Sequence, residues 1–497
     1  MFMTADMTTQ FPLLSLLLWL PLAGGLLCLV GRRTPGAPRW LAAGTAALVL
    51  LLTLVAATVG PASGDWLLFE DRSWIEAFGI RYTLGLDGIS LLLIVLTAFL
   101  QLVAVFVSWE QERAPGLFFA LLLLLETGII GVFLALDLML FYLFWELMLI
   151  PMFFLIGVWG TQRRVYAAVK FFFFTLAGSL CLLLAVISLY LLHGEQTGSY
   201  TFALEALRQT DLTFAQELIF YLGFMAAFVV KVPLFPFHSW LPDAHSEAPV
   251  AGSVDLAGLL LKTGVYGMIR FAFPLFPLAA ERSLPVLAVL ALIGLFYAAW
   301  VAYQQTDLKR MVAYSSISHM GFVMLGLAAW NQTAWEGSLL LMVNHGVTTG
   351  AMFVAIALIQ KRTGSRDMTQ LGGLWKSQPN LSAFFLLFSL ASLGLPGLAN
   401  FAGEILVLVG VFSEHAGWAI IAVGGVLFSA VYILRMVQGT IWGPPCSPFD
   451  RLDLSKREWL VLIPLAVLVV LLGCYPQPLL DQLTEPVTRL LAQGGQL

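Results

Sequence analysis

Polar positions along the 497-residue chain cluster into short breaks, and the apolar runs between them are too long and too unbroken for strands. A helix rising 1.5 Å per residue needs about 20 apolar residues to cross the hydrocarbon of a bilayer. Fourteen runs reach that length, at approximately 11–31, 40–60, 88–109, 116–136, 138–159, 165–192, 218–237, 250–275, 284–303, 308–330, 334–360, 380–412, 417–438 and 458–477. Lipid cannot satisfy open backbone groups, and the runs lack the alternation of barrel strands. The pattern therefore predicts an all-α polytopic membrane protein with about fourteen transmembrane helices.

Composition agrees: 60% of residues are hydrophobic and only 11% charged, which excludes a soluble enzyme, a nucleic-acid binder and a disordered chain. The four cysteines, Cys28, Cys181, Cys446 and Cys474, form no close pair, so neither a disulfide framework nor an iron-sulfur site is expected. Met1 to Gln10 is polar and acidic where a signal peptide would be basic, so the first run is expected to remain as a span.

Charge gives the orientation. Of the 25 Lys and Arg, fifteen fall in the loops after odd-numbered spans, from Arg32 to Arg457 and including Lys309, Arg310 and Arg451. Only Arg72, Arg81, Arg208, Arg282 and Arg489 fall on the other side, among acidic residues such as Asp65, Glu70 and Asp71. By the positive-inside rule both termini lie on the non-cytoplasmic side, which an even number of spans requires. Lys170, Lys231, Lys262, Arg270 and Arg435 remain, and three of these lysines sit at membrane depth.

Two spans are interrupted. Pro233 and Pro236 follow Lys231 in the seventh, and Pro396 lies in a Gly- and Asn-containing stretch of the twelfth. Matching helix ends follow, Tyr266 to Arg270 and Tyr432 to Arg435, at 37 and 39 positions from Pro233 and Pro396. The spacing suggests two five-helix repeats, spans four to eight and nine to thirteen, inverted because five is odd. The expected organisation is an N-terminal three-helix segment (1–115), a first repeat (116–275), a second repeat (284–438) and a C-terminal loop with span fourteen (439–497).

An ionisable group at the bilayer centre costs about 2.5–3.5 kcal/mol even on the lenient insertion scale, so it needs a partner, water or a function. Glu146, Lys231, Lys262 and Glu404 are such groups. A carboxylate facing an ammonium in low dielectric acts as a proton switch, because opening the pair changes both proton affinities; the alternative is a static ion pair orienting helices. His319 and His345 lie in polar stretches that suit a proton wire, although they could equally be satisfied packing residues or ligate a haem. His238 and His245 flank Trp240 to Asp243 just past the first break, where a gating role and an exposed-loop role are equally open, while Glu126 and Lys170 are weaker candidates. The run Phe171 to Phe174 reads as lipid-facing bulk. No phosphate loop, dinucleotide fingerprint or activated nucleophile is visible, so no catalytic residue and no metal site is expected.

The stretches His238-Ser-Trp-Leu-Pro-Asp-Ala-His-Ser-Glu-Ala-Pro249, Lys309-Arg-Met-Val-Ala-Tyr-Ser-Ser-Ile-Ser-His-Met-Gly321 and Asn400-Phe-Ala-Gly-Glu404 closely resemble motifs of the antiporter-like, proton-translocating membrane subunits of respiratory complex I. The resemblance covers essentially the whole chain. It implies that Glu146 and Lys231 are the coupled pair of a first half-channel, Lys262 the central carrier, His319 and His345 parts of a hydrated axis, and Glu404 the residue of a second half-channel. It also implies no cofactor in this chain, with flavin (FMN), iron-sulfur clusters and quinone in partner subunits. The neighbours would be the antiporter-like chains L and N, which typically carry Lys where this chain has Glu404, in a bacterial cytoplasmic membrane. Two other readings remain: a large subunit of a multisubunit sodium/proton antiporter, and a haem- or quinone-binding electron carrier.

Overall fold

The computed structural model describes residues 12–58, 66–443 and 453–493. Met1 to Gln10, Asp65, Cys446 and Arg451 lie outside the described residues.

Thirteen helices among the described residues are long and apolar enough to cross a membrane. The chain is thus an all-helical membrane bundle in its spans. The stretch expected to be the twelfth span is divided between Pro379–Ser392 and Ala399–Glu414, each too short alone, and this accounts for the difference from fourteen. The fifth, Leu138–Trp159, is interrupted at Met148, where one helical segment ends and the next begins.

Burial separates an inner from an outer layer. The apolar windows of the eighth span, Val250–Leu275, and the eleventh, Gln332–Thr363, are wholly buried, against 39% for the first, second, sixth, ninth and thirteenth. The tenth, Leu308–Ala328, and the fourth, Pro115–Leu134, are nearly as enclosed as the eighth. The inner spans carry Glu126, Lys262, His319 and His345, so those polar groups face protein rather than lipid.

Two elements outside the spans were not expected. An antiparallel hairpin, Leu68–Ile75 with Ile80–Leu86, pairs Leu68 with Leu86 in the loop before the third span. Its Glu70 accepts from the backbone N–H of Leu14 at 2.8 Å, satisfying an open donor at the start of the first helix, Leu13–Val30. A C-terminal helix, Gln477–Gln493, packs against the start of the third span, Gly88–Val107, where a Cβ on Gly88 would lie 1.8 Å from the Gln482 carbonyl. Asp87, Arg270 and Arg489 close this corner, with Arg270 at 2.5 Å and Arg489 at 3.5 Å from the Asp87 carboxylate.

Candidate functional site

The seventh span's helix, Phe214–Lys231, ends at the lysine. Pro233 and Pro236 have no N–H to continue the ladder, so carbonyls of the last turn are freed. Trp240 recovers one, its indole N–H donating to the Val230 carbonyl at 2.9 Å, and a short helix resumes at Leu241–Glu247. In the twelfth span Gly394 and Gly397 take the left-handed region, with φ of 81° and 89°, on either side of Pro396. A Cβ on Gly394 would lie 2.4 Å from Glu404 Oε2, so the missing side chain makes room for that carboxylate inside the break.

Lys231 is buried, and its ammonium has no hydrogen-bond partner in the protein; it lies over the rings of Trp145 and Phe171, 5.1 and 5.9 Å from their centroids. Glu146 acts on Lys231 through space, yet no ion pair within 4.0 Å joins them. Its carboxylate instead accepts from the Ser179 hydroxyl of the sixth span, Arg164–Thr197. The expected pair is therefore open in this conformation. Phe171, expected to face lipid, is fully buried beneath Lys231 and against Trp240, whereas Phe173 is 63% exposed.

Lys262 follows a π-helical turn, Leu256–Leu260. Such a turn widens the hydrogen-bond spacing to five residues, and the Lys262 ammonium reaches back five positions to the Ala257 carbonyl at 2.5 Å. It also lies 2.8 Å from His345 Nδ1, which accepts when the lysine is charged and donates when it is neutral. Gly264 brings the two lysine helices together, since a Cβ there would stand 3.1 Å from that of Lys231.

His345 and His319 follow each other with ring centroids 5.5 Å apart. His319 Nδ1 faces the Ser315 carbonyl at 2.7 Å and Nε2 the Ser392 carbonyl at 2.9 Å, the latter freed by the break in the twelfth span. Carbonyls only accept, so the ring satisfies both when both nitrogens carry hydrogen, and Glu404 at 3.4 Å from Nε2 supplies the counter-charge. Three of their four nitrogens are engaged by Lys262 and by two backbone carbonyls, so the pair does not offer two free nitrogens to an iron and the haem reading does not fit.

The accessory candidates separate from this line. Lys170 pairs with Asp243 at 2.7 Å, and Asp243 also holds Arg310 at 2.8 Å. His238 packs between Phe235 and Tyr297, and His245 stacks on Phe353. Glu126 is buried without a hydrogen-bond partner. Lys309, expected in a cytoplasmic loop, is 3% exposed and donates to the Ala248 carbonyl at 2.9 Å. Its position beside Asp307 and Arg310 at a helix start looks like a solvated end, and only the fold turns it inward. Tyr432 was read from the sequence as a helix-end marker alone, but its hydroxyl donates to Ser315 Oγ at 2.9 Å, next to His319. Among the described residues no group of three or more potential ligands could hold a metal.

Two interrupted helices, buried lysines beside the first, a buried carboxylate inside the second and a histidine-linked line between them define an antiporter-like membrane transport subunit. Residues 135–429 match the family described as NADH:quinone oxidoreductase/Mrp antiporter, TM. NADH-quinone oxidoreductase subunit M of Pseudomonas aeruginosa is 46% identical over 94% of each chain. A chain of respiratory complex I from Thermus thermophilus, solved with bound NADH, superposes with a TM-score of 0.89 at 34% identity, covering 97% of this chain and all of that one. A chain of the Mrp complex from Dietzia shares the fold, with a TM-score of 0.82 at 23% identity, covering 95% of this chain and 52% of its own. The chain belongs to the family of proton-translocating membrane subunits of NADH-quinone oxidoreductase, respiratory complex I.

Proposed function

We propose that this subunit moves protons through the membrane arm along Glu146, Lys231, Lys262, His345, His319 and Glu404. The observation that carries the reading is the Lys262–His345 contact at 2.8 Å, because a proton can cross it with almost no heavy-atom movement. With the Glu146–Lys231 pair open, Lys231 is an unpaired buried cation that favours handing its proton on, and closing the pair recharges it. At the far end Glu404 holds the charge on His319, so a proton arriving from His345 displaces one already there. The helix breaks at Pro233, Pro236 and Pro396 keep freed carbonyls along the path.

Each proton moved against about 100 mV costs about 2.3 kcal/mol, and this chain has no visible means of generating that energy. The drive comes from NADH-to-quinone electron transfer in partner subunits that carry FMN and iron-sulfur clusters. Antiporter-like chains L and N are the expected neighbours in a bacterial cytoplasmic membrane. The basic loops support a cytoplasmic side at Lys361 and Arg457 and termini on the opposite side.

The test is NADH-driven acidification of inverted vesicles carrying Glu146→Gln, normalised to assembled complex, with quinone-linked electron transfer measured alongside. The substitution removes the charge and nearly keeps the shape, so pumping and turnover should both fall with assembly intact. Full pumping would make Glu146 a structural charge.

A further inference from the structure

The end of the eighth span that lies opposite the basic loops holds a polar network that the proton line does not use. Tyr266 follows Lys262 by four residues in one helical segment, Leu261–Gly267, so the two side chains share a face. The Lys262 ammonium turns back toward the Ala257 carbonyl, away from that end. Tyr266 enters a closed set of contacts: its hydroxyl donates to the Phe133 carbonyl at 2.9 Å and accepts from Arg270 Nε at 3.2 Å, with Ser90 Oγ at 3.1 Å. Arg270 Nη2 meets the Asp87 carboxylate at 2.5 Å, and the other Asp87 oxygen accepts from the Ser90 N–H at 2.9 Å. Tyr266, Arg270 and Asp87 are all buried.

Beyond the guanidinium the protein opens outward. The Trp66 ring lies 5.2 Å from the Arg270 guanidinium carbon and 5.6 Å from that of Arg489. These three residues line a pocket of about 20 Å³, room for about one water molecule. The pocket shares Glu205, Arg208 and Gln493 with a cleft of about 460 Å³. An approach from the outer face therefore ends on Arg270, and so does the polar face of the helix that carries Lys262.

A proton crosses a polar chain only where each group can accept one proton and release another. Arg270 does neither, because a guanidinium has no acceptor and keeps its charge in proteins. The Tyr266 hydrogen is committed to a carbonyl, and its oxygen faces the Arg270 N–H and the Ser90 hydroxyl. A fixed cation in a narrow polar passage also repels an arriving proton, as arginine does in water-selective pores. We propose that Arg270, held by Asp87 and Tyr266, is a proton barrier that closes Lys262 to the outer face, so that a proton on the lysine leaves only by His345. The inference rests on the proton-carrying role of Lys262. Without such a closure, protons would run back down the gradient through the same lysine.

The test is passive proton flux into proteoliposomes holding the assembled complex, without NADH, after an external acid step read by an entrapped pH dye. Arg270→Lys keeps a cation beside Asp87 but replaces a group that holds its proton with one that exchanges it; a purely structural ion pair would tolerate the change. The expected leak is about tenfold above wild type at equal complex content. Vesicles as tight as wild type overturn the barrier. Should that variant not assemble, Asp87→Asn/Arg270→Gln, which leaves neither charge unpaired, decides in the same way. Tyr266→Phe leaves the guanidinium on Asp87 and should stay tight; an equal leak there would assign the effect to loosened packing and overturn the role of Arg270. Adding Lys262→Arg to the leaking variant should restore tightness, and a leak that persists overturns the link to Lys262. The flux needs no pumping, so failure of the proton-path reading shows separately, as a Lys262→Arg complex that pumps normally with NADH.

Discussion

Lys262 combines full burial with neutral contacts, a carbonyl on one side and an imidazole on the other. Nothing locks its charge, and this distinguishes it from Arg270, whose guanidinium is tied to Asp87 at 2.5 Å. Arginine in place of Lys262 would keep the cation, but a guanidinium does not release its proton in proteins. Lys262→Arg is therefore expected to reduce pumping by about a hundredfold in assembled complex, whereas a purely structural cation would tolerate the change. Proton flux normalised to complex content separates the two. The charged residues of this site were legible in the sequence because charges within apolar runs are conspicuous. Ser179, Lys309 and Tyr432 were not: a buried hydroxyl or a lysine at a helix start looks ordinary until its neighbours are known.

At the scale of elements, the interrupted helices and the π turn decide what the side chains can reach. The break in the seventh span is held by the Trp240 indole on the Val230 carbonyl, one residue before Lys231. Trp240→Phe keeps the ring packed on Phe171 but leaves that carbonyl without its donor, at a cost of about 1–3 kcal/mol. The expected result is a lower thermal midpoint of the detergent-solubilised complex with assembly retained. An unchanged midpoint would show that the break is held by other contacts. Prolines marked both interruptions from the sequence alone, since a missing N–H has the same consequence in any helix. The π turn left no such mark, because four of its five residues, Leu256 to Leu260, are good helix formers and a lone glycine such as Gly258 is common in membrane helices; only packing forces the wider spacing.

Across the whole molecule, charges at one face join distant parts of the chain. Glu110, between the third and fourth spans, is held at about 2, well below its usual 4.5, by hydrogen bonds from Lys361 and Arg457. A carboxyl whose value is lowered on folding stabilises fully above the ordinary value, and that contribution is lost as pH falls through the folded one. The difference in thermal midpoint between wild type and Glu110→Gln should thus be constant above 4.5 and shrink toward 2. Because Glu110 is more than half exposed, the difference should be modest and fall further with salt. A difference independent of pH would mean that the cluster is not ionic. Its three members all come from loops or helix ends predicted to share the cytoplasmic face.

The amino-acid sequence by itself determined that this chain spans a membrane, where its helices run and break, and which ionisable groups are too costly to lie in lipid without purpose. Those conclusions follow from length, hydropathy and missing donors, which act locally. Tertiary structure decided the rest: that Lys262 meets His345, that Glu404 fills the space left by Gly394, that Glu146 rests on Ser179 rather than on Lys231, and that Lys309 turns inward. Each of these depends on the relative rotation and depth of helices far apart in the chain. Those are set by close packing at glycines and by the wider π turn, so no local pattern records them.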